Sequence, residues 1–281
     1  MTSPNEITVN QLSRLIGLPN APAIVDLRID EDFALDPRMV PGARRRCHKA
    51  VDHWMPGYAG RKVTVVCHQG KKISQGAVAL LRHEGIDAES LEGGFEAWAG
   101  SGAGSGSGQL TLAPARLPAR DGKDRTLWVT RARPKIDRTA CPWLIRRFID
   151  PDAAFLFVAP AEVEKVAEIY GATPFDVEDV FWSHRGDDCS FDTMLREFDL
   201  RSDALTRLAT IVRAADTGRP DLAPEAAGLL AACLGLSRMY RDDLEQLSAS
   251  MFLYDALYRW CRDATAETHG WPSADTGGSR Q

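Results

Sequence analysis

The sequence predicts an α/β unit over the first hundred residues, followed by a mostly α-helical α+β unit. Three observations carry this. Up to residue 100, short β-branched runs alternate with segments of helical spacing. Residues 101–108 then read SGAGSGSG, a composition with nothing to bury and maximal backbone freedom. After residue 183 the apolar residues recur almost throughout at helical intervals.

A chain of 281 residues is long enough for two domains. The expected division is 1–100, a flexible Gly/Ser/Pro linker at 101–124, a second domain at 125–264, and a disordered tail at 265–281. The net charge of −5 gives no reason to expect a nucleic-acid partner. No uninterrupted apolar run reaches the ~20 residues of a membrane span. The first residues, MTSPNEITVNQL, lack the basic and apolar stretches of a signal peptide. The six cysteines (47, 67, 141, 189, 233, 261) form no CxxC pair. They fit a reducing cytoplasm and argue against a cysteine zinc site.

In chain order, Ile7 opens a short strand, and a helix follows from near Val9 with Leu12, Leu15 and Ile16 as its apolar face. Ala23 to Arg28, AIVDLR, reads as a buried strand ending in Asp26 and Arg28. VPGAR (40–44) follows a stretch of loop composition. His48, His53 and Trp54 lie in a polar, helix-like stretch, and His53 reads as surface. The chemistry gathers in KVTVVCHQGKKISQG (62–76). Val63, Val65 and Val66 form a strand, HQGKK a short loop, and the residues from Ile73 onward a helix, near whose end lies His83. Cys67 therefore sits between a strand end and a helix N-terminus, where backbone N–H groups and the helix dipole favour negative charge. His68, Lys71 and Lys72 add cationic character, so the thiol is expected to ionise more easily than a free one. A small packed apolar cysteine is the alternative for the loop taken alone. SLEGGFEAWAG (90–100) completes the unit as a strand, a glycine turn and an aromatic helix.

DLR, PGA, a cysteine loop and EGGFEAW, in this order over a hundred residues, resemble the rhodanese domain. The resemblance implies a parallel central sheet and a sulfurtransferase in which Cys67 carries a persulfide, with no cofactor required. It implies substrate binding by His68, Gln69, Gly70, Lys71 and Lys72, with Asp26 and Arg28 bracing the loop. The partners it implies are a small sulfur donor such as thiosulfate and a thiol acceptor. Two departures stand out: Lys72 where the family usually has arginine, and Met39-Val40 where a histidine often precedes the PGA turn. A cysteine phosphatase would need arginine six residues after Cys67, where Ile73 stands, so phosphatase activity ranks below sulfur transfer.

In the second unit the spacing predicts strands at 127–131, 153–159 and 180–184. Helices are expected over 141–149, with Pro142 in the first turn, and over 161–171. Further helices should follow Cys189, begin at an N-cap Ser202, run through APEAAGLLAACLGLS as a segment buried on all sides, and end in RDDLEQLSASMFLYDALYRWCRD. Arg131, Arg133, Lys135, Arg138, Arg146 and Arg147 crowd around Cys141, which is placed at the start of its helix. That position suits a depressed thiol pKa or a bound tetrahedral oxyanion. A solvated basic face over a packed cysteine is the plainer reading. Asp137, Cys141, His184, Arg185 and Asp216 each lie at an element end and are polar in surroundings that read as apolar, so they are expected to approach one another in space and satisfy one another. Asp137, Cys141, His184 and Asp216 are the candidate ligands of a transition-metal ion; an ion-pair network is the alternative.

DRTACPWLIRRFIDPDAAFLFV, FWSHRGDDCSFD and RAADTGRPDLAPEAAGLLAACLGLSRMYRDD resemble the C-terminal domain of ChrB-type chromate resistance proteins, over about 125–263. This implies a link to chromate resistance, with chromate as a candidate oxyanion partner. Two functions remain open: a sulfurtransferase serving oxyanion detoxification, or a non-enzymatic sensor that binds chromate, another oxyanion or a metal.

Overall fold

The computed structural model describes residues 5–100 and 109–267. The expected linker core at 101–108 lies outside the described residues, as does residue 268 onward of the expected tail.

The first half contains β1 (Glu6–Ile7), α1 (Val9–Leu15), β2 (Ala23–Asp26), α2 (Asp30–Leu35), β3 (Ala43–Arg45), α3 (Val51–Trp54), β4 (Val63–Val66), α4 (Lys72–His83), β5 (Ala88–Leu91) and α5 (Gly94–Gly100). All strand pairs are parallel, in the order β1-β5-β4-β2-β3. The parallel α/β architecture expected for this half is therefore present. β4 is the middle strand and is buried on both faces, as its run of Val and Thr requires. Val63 and Val65 pack with Trp54, Tyr58 and Leu81 on one side, and Val66 faces the other. α2 and β3 had no clear signal in the sequence.

The second half contains β6 (Leu127–Arg131), α6 (Asp137–Leu144), β7 (Ala154–Val158), α7 (Val163–Tyr170), β8 (Thr173–Pro174), α8 (Ser190–Glu197), α9 (Asp203–Asp216), α10 (Ala226–Met239) and α11 (Asp243–Asp263). A small parallel sheet, β7-β6-β8, leans on the helices. Ser202 caps α9 through its side chain and Asp242 caps α11.

Four expectations need correction. The helix around Cys141 begins earlier, at Asp137, so Pro142 lies inside it. Proline offers no N–H to close a turn there, and residues Ile145–Ile149 continue in a wider π-type turn. The strand expected at 180–184 reduces to a single bridge between Trp182 and Phe175. α10 is not buried on all sides: Leu230 and Leu234 are exposed. The two halves are also packed against each other and are not joined through the linker alone. One continuous core joins Leu12, Ile16 and Trp98 of the first half to Trp143, Phe148 and Tyr258 of the second. The Gly42 N–H donates to the Phe148 carbonyl at 2.6 Å. Residues 109–124, expected as loose linker, form a strap between them. Leu112 is buried and bridges Met39, the Ala113 N–H donates to the Phe198 carbonyl, and Trp98 Nε1 donates to the Leu110 carbonyl.

Candidate functional site

Cys67 directly follows β4 and is buried, 4% exposed. Its thiol donates to the hydroxyl of Ser74 at 3.2 Å, and Ser74 in turn reaches the Lys71 carbonyl at 3.2 Å. Ser74 is fully buried in the first turn of α4. Sequence reasoning passed over it, although its place seven residues after the cysteine, one turn into the helix, was available as a signal.

The loop His68–Lys71 is clamped from below by α5. The Phe95 N–H donates to the Cys67 carbonyl at 2.8 Å and the Glu96 N–H to the His68 carbonyl at 3.0 Å. In a trans peptide the N–H opposes the C=O, so the N–H groups of His68 and Gln69 point away from α5. Among the described residues no protein acceptor takes the N–H of His68, Gln69, Gly70 or Lys71. The N-terminus of α4 has no side-chain cap. The close approach explains the glycines. Gly70 and Gly94 have φ of +68° and +63°. A Cβ on Gly94 would stand 2.4 Å from the Cys67 carbonyl oxygen and 2.4 Å from the Gly70 nitrogen. Lys71, Lys72 and Gln69 are exposed at the loop surface and His68 is half-buried.

Asp26 and Arg28 are 1% and 2% exposed. Arg28 bonds both Asp26 oxygens, and its remaining donors reach the carbonyls of Asp36 and Arg38. Its guanidinium lies 3.7 Å from the Phe95 ring centroid. With all three guanidinium nitrogens engaged and the group buried, this pair braces α5, and through it the cysteine loop.

The second cluster lies in the C-terminal half. His184 Nε2 is 3.5 Å from Asp137 Oδ2, 3.4 Å from Asp176 Oδ1 and 3.3 Å from Asp216 Oδ2. Asp137, His184 and Asp216 each offer one ligand atom, all within 4.8 Å of one another, in a grouping able to hold a metal ion. Asp137 opens α6 and is fully buried, with its oxygens on the Ser190 and Phe191 N–H groups at the start of α8. Asp216 ends α9 and Asp176 follows β8. Asp176 carries no motif; parallel pairing of β8 with β6 brings it in. It takes the Ser190 hydroxyl at 2.8 Å and lies 3.3 Å from Arg138 Nε. Ile136 and Asp176 border the cluster at φ of +36° and +50°, costly conformations for such residues. The Ile136 carbonyl is pinned by the Tyr254 hydroxyl at 2.8 Å and the Thr139 hydroxyl at 2.9 Å.

This cluster holds on to protons. Burial, then the carboxylates of Asp176 and Asp216, push the Asp137 carboxyl well above the usual range. Hydrogen bonds to Asp176 and then Asp216 raise His184 to about 10. So Asp137, His184 and Asp216 converge as the sequence reading proposed, and two other members do not join them. Cys141 is fully buried beneath, its Sγ 3.9 Å from Asp137 Oδ1. Burial and then the Asp137 charge push its thiol up, opposite to the depressed value expected, because the helix starts four residues earlier and Cys141 is not at its N-terminus. Arg185 turns to Glu197 at 2.5 Å and stacks on Phe181.

The arginine cluster disperses as well. Arg133 takes the carbonyls of Ser237 and Tyr240 behind α10, and Arg147 pairs with Asp255 at 2.7 Å. Arg146 binds the Ala153 carbonyl. Arg131 and Arg138 remain by the metal-type cluster, held by Asp176. His53 and His83 are exposed.

Comparison with known proteins gives two separate matches. Residues 8–101 match the family model of the rhodanese-like domain. Residues 128–261 match that of the ChrB C-terminal domain. Both resemblances seen in the sequence therefore hold. A curated relative, Protein ChrB of Cupriavidus metallidurans, is 36% identical over 132 residues, 47% of this chain and 39% of the relative. The chain thus spans well under half of that relative's length. Among solved structures, a rhodanese-like domain protein from Staphylococcus aureus is 30% identical and covers 34% of this chain and 90% of its own, with a TM-score of 0.30. A rhodanese-related protein from Thermoplasma volcanium is 20% identical and covers 35% of this chain and 93% of its own, with a TM-score of 0.31. Among the described residues no helix is long and apolar enough to cross a membrane.

Proposed function

We propose that the chain is a sulfurtransferase acting through a Cys67 persulfide, in the service of chromate resistance or the detoxification of a related oxyanion. The two family matches support the link to chromate resistance. The observation that carries the transferase reading is the Cys67 loop. A thiol stands at a strand end above unclaimed N–H groups and an uncapped helix N-terminus, locked there by the Gly93-Gly94 turn. The Cys67 thiolate attacks the outer sulfur of thiosulfate, a new S–S bond forms, and sulfite leaves with the electron pair of the old one. The free N–H groups of residues 68–71 and the dipole of α4 hold the anionic persulfide. An acceptor thiolate then takes the outer sulfur and Cys67 leaves as thiolate. Lys71 and Lys72 draw in the anionic donor as point charges.

The test is intact mass after incubation with thiosulfate. Gain of one sulfur atom on the wild type, and none on Cys67→Ser, is the expected result. Thiocyanate release at the wild-type rate by Cys67→Ser would overturn it.

A second reading concerns the C-terminal half, and the convergence of Asp137, His184 and Asp216 favours it. One imidazole and two carboxylates, with Asp176 beside them, suit a first-row divalent cation. They oppose chromate, because carboxylates face the same space. Metal content of chain purified without chelators is expected near one ion per chain and lost in His184→Ala. Equal content in His184→Ala and in the control His83→Ala would overturn this reading.

A further inference from the structure

The cluster around His184 has a cationic flank that its three metal-type ligands do not use. β6 and β8 pair in parallel with Val129 beside Pro174, so Arg131 and Asp176, each two residues on, meet at the same end of the sheet. Arg138 follows the ligand Asp137 directly in α6. Both guanidiniums reach the same carboxylate oxygen: Arg131 Nη2 is 3.7 Å and Arg138 Nε 3.3 Å from Asp176 Oδ2. The other oxygen, Oδ1, faces His184 at 3.4 Å. Asp176 thus stands between the ligand set and a pair of arginines.

That pair is underused. Arg131 donates to the Asp176 carbonyl at 3.1 Å and Arg138 to the Ala132 carbonyl at 3.3 Å. Both Nε groups are buried, and neither makes a hydrogen bond among the described residues. Two like charges share one carboxylate. Burial pushes the Arg138 pKa down and the Arg131 charge adds to that, more than Asp176 offsets. Paired guanidiniums with donors to spare suit an anion that carries several oxygens.

Charge and coordination point the same way. The carboxylates of Asp137, Asp176 and Asp216 set three negative charges against the two arginines. Alone they repel an anion. A divalent cation held through a neutral imidazole turns that deficit of one charge into a surplus of one. Asp137, His184 and Asp216 supply three ligand atoms, fewer than the about four to six that a first-row cation takes, so coordination positions stay open. His184 and Arg131 are both 40% exposed, which gives this side of the cluster to solvent.

We propose that the metal-loaded cluster binds a phosphate group, with one oxygen on the cation and others on Arg131 and Arg138. This rests on the reading of Asp137, His184 and Asp216 as a metal site. A tetrahedral dianion suits it because its oxygens diverge, so that one can meet the cation while others meet the guanidiniums. A carboxylate offers only two oxygens, in one plane.

Calorimetric titration of the full chain with inorganic phosphate tests this, once with the chain loaded with manganese(II) and once freed of metal. The loaded chain is expected to bind phosphate at least about tenfold more tightly. Arg131→Gln, checked for folding by circular dichroism, should keep its manganese and weaken phosphate at least about tenfold, since it removes a charged donor. Arg131→Lys should recover only part, because a point charge does not replace the fork. Lys135→Gln, an exposed basic residue between β6 and α6, should change nothing. Phenyl phosphate binding as well as phosphate would assign the site to phosphate monoesters, and weaker binding would assign it to the free anion. A chain that takes up no manganese would overturn the metal reading and this proposal with it. A chain that takes up manganese yet binds phosphate no better than the metal-free chain would overturn this proposal alone. So would acetate binding as tightly as phosphate, or a loss in Lys135→Gln equal to that in Arg131→Gln.

Discussion

Arg44 in β3 reaches Asp150 after α6 at 2.7 Å, joining the two halves of the chain across 106 residues of sequence. Asp150 is fully buried and also accepts the Thr126 N–H at 2.7 Å and hydroxyl at 2.8 Å, with Arg120 at 3.1 Å. Replacing it with alanine strands all these donors. We expect Asp150→Ala to cost about 3–5 kcal/mol, the usual penalty for breaking a buried pair. Denaturant unfolding measures it, and a loss under about 1 kcal/mol would show the contact to be dispensable. The same docking predicts that a chain cut at a protease site inserted between Gly100 and Gln109 elutes as one particle.

Asp150 also sets a pH dependence. Burial alone would raise its pKa, but the Thr126 N–H, Arg120, the Thr126 hydroxyl and Arg44 outweigh it and hold the carboxyl below the ordinary carboxylate range. The unfolded chain then takes up the proton first. The stabilising contribution is complete above about pH 4, the unfolded carboxylate value, and is lost as pH falls through the lower folded value. Asp150→Asn should therefore lose stability at pH 7 and show a shallower decline below pH 4 than wild type. Parallel acid-unfolding curves for the two chains would contradict this.

Gly94 is the tightest point of the cysteine loop. A Cβ there would meet the Cys67 carbonyl, the Gly70 nitrogen and the His68 carbonyl, all within 2.6 Å, at a φ of +63°. Backbone cannot yield as a side-chain tip can, so Gly94→Ala must displace the loop that carries the thiol. We expect kcat/KM for sulfur transfer to fall more than about tenfold, since a shift of ~1 Å costs about that much or more. Gly76→Ala, in the same half with open space around it, is the control and should keep full rate.

Much of this loop could be read from the sequence because its parts are contiguous. Strand, cysteine, short loop and helix follow one another within fifteen residues, and the EGGFEAW turn that clamps them announces itself by its glycines. The C-terminal cluster is different. Asp137, His184 and Asp216 were noticed because polar residues at element ends break apolar runs, but Asp176 has no such contrast and is placed by the pairing of β8 with β6. Cys141 was misplaced because helix starts are set by capping and packing over several residues. Here the Ile136 carbonyl, pinned by Tyr254 from 118 residues away, begins the helix. α10 was read as buried all round because composition reports how apolar a segment is, not whether its own chain covers it.

Ser74 acts on the reaction through Cys67, so its effect should depend on the thiolate. As the thiol loses its proton, the Ser74 hydroxyl can rotate from the Lys71 carbonyl and donate to sulfur. A hydrogen bond to a charged group contributes about 1.5–3 kcal/mol, or about ten- to a hundredfold in rate. Ser74→Ala should lower kcat by this range, and Ser74→Thr should restore much of it. A Ser74→Ala chain that keeps the wild-type kcat would show that Ser74 only packs.

The cysteines should differ in reactivity in a way that separates the two clusters. Cys47 is exposed, whereas Cys141, Cys189 and Cys233 are buried. A thiol reacts as its thiolate, and forming that charge inside an apolar surround is costly. For Cys141 burial is joined by the nearby Asp137 charge, and for Cys189 by Asp137 and Asp192; all of these push the thiol up. The folded chain treated with a charged alkylating agent should therefore label at exposed Cys47 and, on the proposed function, at Cys67, with Cys141 and Cys189 untouched. Raising the pH to about 9 should still leave those two unlabelled, because access as well as ionisation is closed to them. Adding denaturant should release both together with unfolding of α6 and α8. Peptide mass mapping reads each site. Labelling of Cys141 in the folded chain at a rate near that of Cys47 would mean that the floor of the Asp137 cluster opens to solvent, and that the thiol belongs among its ligands after all.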